Sequence, residues 1–444
     1  MRNCLLPLVG LALISAGSLP AASNWPQFRG PNGDGHSDAK GLPVSFSETE
    51  KLKWKTAIHD KGWSSPVIWG DQIWLTTATD VGDALFAVCL DKKTGKILHD
   101  VKVFTASQTN LWQKYNSYAS PTPVIEEGRV YVTFGEAGTA CLDTKTAKVL
   151  WERRDLKCDH FRGAGSSPIL HKNLLILNND GVDLHYVVAL DKQTGKTVWK
   201  TDRSVDYQDL DALTKKPKLG GDLRKAYGTC QIASISGRDV VLSIGAMALY
   251  AYDPMSGKEL WRVEHIGGHS TGGRPLLGHD LVYHTAGFGK AELFATKPPP
   301  LKSWGGSVLD ATRTPDPDPD KPQLAWRVSK YVPSSHSPLL VGDLIFMVDN
   351  KGLASCVEAK TGKPVWDAKP FDAAPAVYSS PMYAEGRIYA ADKATKGRVA
   401  VFKAGREFER LALNELDSEI NASPVALGKS LYIRTAKFLY CFEN

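Results

Sequence analysis

One hairpin, rewritten along the chain, limits what this sequence can fold into more than any other feature. Its fullest copy is Tyr186-Val187-Val188-Ala189-Leu190-Asp191-Lys192-Gln193-Thr194-Gly195-Lys196-Thr197-Val198-Trp199. Variants run from Ala87-Val88-Cys89-Leu90-Asp91 to Thr94-Gly95-Lys96, from Cys141-Leu142-Asp143 to Trp151, and from Ala251-Tyr252-Asp253 to Gly257-Lys258-Glu259-Leu260-Trp261. Another runs from Cys356-Val357-Glu358 to Thr361-Gly362-Lys363-Pro364-Val365-Trp366. Each copy reads as an apolar strand, a polar turn and a second strand that usually closes on Trp. Glycine supplies the positive φ of a tight turn, and the Asp carboxylate accepts bonds from the turn's amides. Asp91, Asp143, Asp191 and Asp253 lie 52, 48 and 62 residues apart. That spacing belongs to a repeat architecture.

The two ends of the array complete each other. Leu52-Lys53-Trp54-Lys55-Thr56 matches the closing strand of a unit that has no opening strands before it, and Leu439-Tyr440-Cys441-Phe442-Glu443 matches an opening strand with no closing partner after it. A ring of sheets closes by letting its N-terminal strand finish the last sheet, which leaves no open edge. Units open on Ser65-Pro66, Ser120-Pro121, Ser167-Pro168, Tyr227-Gly228-Thr229, Arg274-Pro275, Ser337-Pro338, Ser380-Pro381 and Ser423-Pro424. Proline at a strand start gives up no ladder bond. The pattern predicts an all-β, eight-bladed β-propeller of four-stranded antiparallel blades over residues 51–444, its last blade closed by the N-terminal strand. The fifth unit is irregular, with a Pro/Asp-rich insertion over 298–322 that reads as an extended, solvated excursion, and 202–226 forms a second one. Residues 24–50 read as an extended arm lying across the propeller. Its Asn32, Asp34 and His36 lack the downstream Glu and full ligand series of a calcium loop.

Residues 1–23 read as a secretory signal: Arg2, an apolar run from Cys4 to about Ala16, then small residues through Ala21-Ala22-Ser23. The run is short for a transmembrane helix, and no later stretch could span a bilayer, so an exported chain, periplasmic or secreted, is expected. A net charge of +6 spread over 54 basic and 48 acidic residues, with no basic block, argues against a nucleic-acid surface. Cys89, Cys141, Cys356 and Cys441 share one repeat position with Ala189, Ala251 and Ala400, which asks for a small buried side chain. Cys158 and Cys230 lie in loops, and the sequence leaves their pairing open.

These residues resemble the bacterial PQQ-like (pyrroloquinoline-quinone-like) repeat β-propeller family, whose blades carry Ala-x-Asp-x-x-Thr-Gly-Lys-x-x-Trp. The resemblance covers about residues 52–444. Trp25-Pro26-Gln27-Phe28-Arg29-Gly30-Pro31 and Cys158-Asp159-His160-Phe161-Arg162-Gly163-Ala164-Gly165 are similar to exported members without assigned chemistry. The resemblance implies that Trp54, Trp151, Trp199, Trp261, Trp326 and Trp366 pack between blades, with His99 replacing the Trp of the first unit. Three roles occur in the family. Quinone-dependent alcohol and sugar dehydrogenases hold PQQ and calcium over the axis beside an Asp base and often two adjacent cysteines, a pair this chain lacks. Outer-membrane assembly lipoproteins act as scaffolds and carry a lipidated cysteine that is not apparent here. Other exported propellers serve as binding platforms.

In a propeller, the loops between blades and those joining middle strands converge on one face, where pockets form. Those loops carry Trp63, Tyr118, His160, Arg162, Tyr227, His269, Arg274, Tyr331, His336, Tyr378 and Asn421, together with Asn116, Asn179, Asp180, His265, Asp349 and Asp392. Such a set suits a flat or polar ligand, offering stacking area and a few directed bonds. Asp349 and Asp392 are expected to end strands or support turns. The sequence shows no metal-ligand spacing, nucleophile elbow or phosphate loop. The expectation is a non-catalytic scaffold that binds a small molecule, glycan or protein at the channel mouth. A PQQ-dependent dehydrogenase with calcium is the first alternative, and a scaffold like the outer-membrane assembly factors is the second.

Overall fold

The computed structural model describes residues 24–106, 116–160, 162–312, 318–370 and 377–444, so the expected signal segment 1–23 lies outside the described residues. Each repeat folds into one antiparallel sheet of four strands, and eight such sheets form the propeller. Blades 1 to 7 follow in chain order over 67–105, 124–153, 169–202, 231–264, 276–328, 339–370 and 382–415. Blade 8 joins Val425–Leu427, Ser430–Arg434 and Phe438–Phe442 to Leu52–Ala57. Leu52–Ala57 runs antiparallel to Phe438–Phe442 with Trp54 opposite Cys441, which is the closure the sequence predicts.

The repeat's turn works as its chemistry suggests. Asp91 Oδ1 accepts Thr94 N (2.7 Å), Thr94 Oγ1 (2.7 Å) and Lys93 N (3.1 Å), and Asp143, Asp191 and Asp253 repeat the pattern. These bonds, the Thr94 hydroxyl first, hold the Asp91 carboxyl below its usual range. Beyond the turn, every closing strand carries a register shift, as between Val149 and Trp151 or Leu52 and Trp54. A bulge of this kind twists the strand and re-aims the residue after it.

That residue is the Trp, and it points at the next blade. Trp54 Nε1 donates to Lys92 O (3.2 Å), Trp151 to Lys192 O (3.0 Å), Trp199 to Pro254 O (3.0 Å) and Trp326 to Ala359 O (2.9 Å). Each ring also lies on the neighbour's turn glycine. A Cβ on Gly95, Gly195, Gly257 or Gly362 would sit 2.6, 2.7, 2.4 and 2.7 Å from Trp54, Trp151, Trp199 and Trp326 respectively. The glycine therefore answers to its own positive φ and to the neighbouring ring. Blade 1 supplies the control: His99 turns back to stack on Trp74 (6.0 Å, 19°), and the next turn carries Ala147 at φ 56 in place of the glycine. The Cys/Ala position is explained as well, because Cys141, Ala189, Ala251 and Cys356 lie directly opposite Trp on the paired strand.

The insertion in unit five does more than form a solvated excursion. Its Ser307–Asp310 adds a fifth, parallel strand to the outer edge of blade 4, with Ser307 beside Trp261 and Leu309 only 1% exposed. The centre of the Pro/Asp tract, 313–317, lies outside the described residues. Cys158 and Cys230 are both free and buried. Cys158 Sγ donates to Leu184 O (3.3 Å), and Cys230 Sγ to Asn178 Oδ1 (2.9 Å).

Candidate functional site

The residue that opens each inner strand ties its blade to the next. Ser65 N donates to Thr122 Oγ1 (3.0 Å), Thr122 N to Ser167 Oγ (2.9 Å) and Ser167 N to Thr229 Oγ1 (3.1 Å). The same sense runs from Arg274 N to Ser337 Oγ (2.9 Å), Ser337 N to Ser380 Oγ (3.0 Å), Ser380 N to Ser423 Oγ (2.9 Å) and Ser423 N to Ser65 Oγ (3.0 Å). Among the described residues the circle breaks once, between Thr229 and Arg274, where blade 5 has no hydroxyl. The Ser or Thr that opens the inner strand, before a Pro except in the fourth blade, where Thr229 precedes Cys230, is thus the clasp of the channel. The Ser-Pro signals mark it in the sequence, although proline alone does not reveal it.

Blade 5 uses that position differently. Arg274 is 2% exposed and donates to Phe28 O (2.6 Å) and Gln27 Oε1 (3.1 Å) of the N-terminal arm. The first part of the arm, residues 25–35, reaches the channel. It passes beneath the inner strands, where Trp25 pairs with Ile68, Pro26 O accepts Ile125 N (2.8 Å), and Gln231 Nε2 donates to Asn32 O (2.9 Å). Arg29, buried in turn, donates to Asp34 O (2.6 Å), Pro338 O (2.9 Å) and Pro381 O (3.3 Å). His36–Ser37 then joins blade 7 as a parallel inner strand, with Asp34 and His36 engaged in bonds to the chain itself. Gly33 and Gly35 allow the crossing, since a Cβ on either would meet the guanidinium of Arg274 (2.2 Å) or Arg29 (2.7 Å). Burial pulls Arg29 down to about 10 and Arg274 to about 9, with no carboxylate among the described residues bonded to either guanidinium.

The arm closes the channel below, and Phe28 becomes the floor of a funnel of about 460 Å³. Its wall follows a strand's alternation counted from the clasp. The hydroxyl residues Ser65, Thr122, Ser167, Thr229, Ser380 and Ser423 line the funnel. So do the residues two before each clasp position: Trp63, Ser120, Gly165, Tyr227, Gly272, Ser335, Tyr378 and Asn421. The residues between them include Ser64 and Ser379, which donate to Thr76 O and Ala391 O inside their blades.

Two walls of different character result. On one side Trp63 stacks with Tyr378 across blade 8 (5.9 Å, 22°), and Lys393 Nζ sits 4.9 and 5.5 Å from the two ring centroids. Opposite them stand Tyr227, Phe288, His269 and Arg162. Arg162 pairs with Asp222 (3.1 Å), and buried Lys225 contacts the same carboxylate. Burial, then Arg162, brings Lys225 down to about 7. Burial, then Lys225 and Arg162, lowers His269, whose Nδ1 lies 3.1 Å from Ser270 Oγ.

Six of the eleven leading candidates therefore meet at the funnel: Trp63, Arg162, Tyr227, His269, Tyr378 and Asn421. Asn116 joins them, its amide donating to Gly163 O (3.0 Å) and Ala164 O (3.1 Å). The others lie elsewhere. Arg274 holds the arm, and His336 is buried with Nε2 on Val348 O (2.6 Å). His160 is buried and pulled down to about 4 by desolvation, while Tyr118 covers Gly82. Tyr331 takes φ 55 and accepts Ser355 Oγ at its carbonyl (3.4 Å). Asp180 forms a buried two-pronged pair with Arg203 (2.9 and 2.7 Å), and its neighbour Asn179 is buried in the same strand. His265 packs in the interior against His284 (5.3 Å). Asp349 caps the turn to Leu353, and Asp392 pairs with Arg398, as expected of turn supports.

Chemically, the funnel offers aromatic faces, hydroxyls and cations. None of its described lining residues is Asp or Glu, and no group of three or more His, Cys, Asp or Glu among the described residues could hold a metal ion. The aromatic walls would accept a flat ring. The carboxylate ligands of a calcium ion and the carboxylate base of a quinone-dependent dehydrogenase are not among the described lining residues, so these residues do not fit that set.

Comparison with known proteins agrees with this architecture. The chain matches the family model described as outer membrane protein assembly factor BamB over residues 40–247 and 317–407, more than half its length, and it belongs to this family of PQQ-like repeat propellers. A segment is similar to the quinoprotein ethanol dehydrogenase of Pseudomonas putida, 30% identical over 152 residues, and to that of Pseudomonas aeruginosa, 29% identical over 149. Each match covers 33% of this chain and 23% of the relative, so the matched part spans less than a quarter of those proteins. Among solved structures, BamB from Moraxella catarrhalis superposes with a TM-score of 0.55 at 11% identity, covering 88% of this chain and 98% of that one. A europium-containing methanol dehydrogenase gives 0.54 at 12% identity, covering 95% and 98%. At these identities the likeness is one of fold.

Proposed function

We propose that this protein is an exported, non-catalytic binding module whose blind funnel takes one small organic ligand. One observation carries the reading: the chain closes its own channel with the arm and leaves above it a polar and aromatic cavity with no carboxylate among its described lining residues. Cavities of this size with convergent polar groups are the usual seats of small ligands. Export rests on the apolar run and small residues of 1–23.

The test has two parts. Thermal-shift screening of aromatic and sugar ligands is expected to find saturable stabilisation that Trp63→Ala or Tyr378→Ala removes. A screen without any hit sensitive to these changes would sink the funnel as a site. In parallel, the protein is titrated with PQQ, with and without calcium, in a dye-linked assay over alcohols and aldoses. No dye reduction is expected, and turnover saturating in quinone and calcium would replace the module by a dehydrogenase.

A protein-scaffold role, suggested by the family's assembly factor, is favoured by one surface feature. The excursion before blade 4 exposes Leu213 (92%) and Leu219 (73%) beside Lys215, Lys216 and Lys218. Crosslinking to an envelope partner that disappears in a Leu213→Ser, Leu219→Ser double variant would support it.

A further inference from the structure

We propose that the funnel's ligand is a flat oxyanion, seated with its carboxylate or phosphate group down on the ring of clasp hydroxyls. The inference rests on the funnel being a ligand site and adds the chemical class it takes. A hydroxyl has one proton to donate and two lone pairs to accept with. Ser65, Thr122, Ser167, Thr229, Ser380 and Ser423 each spend oxygen lone-pair capacity on a neighbouring blade's N–H or line the funnel beside one that does. In none of these bonds is the hydroxyl the donor. Six O–H groups therefore surround one axis with no acceptor for their protons among the described residues, and they belong to the funnel's wall.

The buried charges beneath the ring have the matching sign. Below it, Arg29 and Arg274 are each 2% exposed, and their guanidiniums bond carbonyl and amide oxygens of the arm and inner strands rather than carboxylates. Above it stand Arg162, which shares Asp222 with Lys225, on one wall and Lys393, 3.9 Å from Glu419, behind the Trp63–Tyr378 stack on the other. Among the described residues no acid lines the cavity to repel an anion. Cations behind low-dielectric walls focus their field into a cleft. Asn421, 9% exposed, lines the wall with its amide oxygen unpartnered, and turning the amide over would present a further donor. The body of the ligand would lie between the Trp63–Tyr378 pair and Tyr227, which calls for a flat ring system.

Calorimetric titration of the whole protein with 2-naphthoate, 2-naphthyl phosphate and the neutral 2-naphthamide tests this. One or both anions are expected to bind about tenfold or more tightly than the amide, because charge-assisted bonds are the stronger ones. Raising the salt concentration should erode that preference. Comparing the two anions decides between a carboxylate and a phosphate head. Thr122→Val, which keeps the side chain's shape but removes its proton and the oxygen that clasps Ser65 N, should weaken the anions severalfold more than the amide. Arg162→Gln, outside the ring, gives a second variant should the first fail to fold. If the amide binds as tightly as both anions, the funnel is a site but the oxyanion class is wrong. If no probe binds, charged or neutral, the funnel reading falls with it.

Discussion

Glycine at the repeat's turn is fixed by two constraints that can be separated. Gly257 has φ +70 and lies under the Trp199 ring, whereas Gly70 has φ +57 with nothing near its missing Cβ. A left-handed conformation costs an L-residue roughly 1–2 kcal/mol, and overpacking a filled site adds about 1–3 kcal/mol. Gly257→Ala is therefore expected to destabilise more than Gly70→Ala by at least about 1 kcal/mol, read from chemical-denaturation midpoints. Equal losses would mean that the ring yields without cost. At this scale the sequence reveals residue types better than directions. Trp63, Tyr227 and Tyr378 stand out as loop aromatics and do line the funnel, but His336 is one residue away from the same phase and points into its blade. The phase is set by the clasp residue, and its role depends on a contact some 40 to 60 positions along the chain, as in Ser65 with Thr122. No local pattern contains that contact. Arg274 escapes for the same reason, because its partners Gln27 and Phe28 lie far away in sequence.

Blade 5 departs furthest from the repeat, and its interior shows it. His265, at the end of blade 4, and His284, on the second strand of blade 5, are buried side by side, and none of their ring nitrogens has a hydrogen-bond partner. Burial holds His265 at about 4 and His284 well below its ordinary value, with His265 adding to the latter. The unfolded chain takes up these protons near 6.5 while the folded chain does not, so acid favours unfolding. Stability from this pair is complete above about pH 6.5 and is lost as the pH falls towards about 4. His284→Phe, which keeps a ring against Phe294, should flatten the fall in melting temperature across that window. An unchanged slope would place the acid sensitivity elsewhere, with buried His160 and His336 the next to be changed. The repeat pattern makes these strands legible. It does not foretell the parallel strand Ser307–Asp310, because an edge left open by a missing hairpin is a tertiary fact.

For the molecule as a whole, fold and floor are built separately from one N-terminal stretch: Leu52–Ala57 closes the ring, and the residues before it close the channel. Arg274→Met should free the arm without opening the ring. Hydrogen exchange is expected to speed up over residues 25–37 while the blade strands stay protected, and ligand affinity should fall as Phe28 loses its anchor. Loss of protection throughout the blades would show instead that the arm holds the propeller together. The eight-bladed ring was readable because the motif repeats and its two halves lie at the chain's ends. The floor was not, because an irregular segment rich in turn residues carries no period to say which side it takes. The closing seam also has a mechanical character. Leu52 faces Phe442, so the chain enters and leaves this pair of strands at the same end. Tension drawn through both flanks would peel its bonds one at a time, where strands hauled from opposite ends resist together. The arm takes up that tension first on the N-terminal side, since Arg29 and Arg274 grip it beneath the axis. The plug thus acts as a strain relief for the zip that shuts the ring.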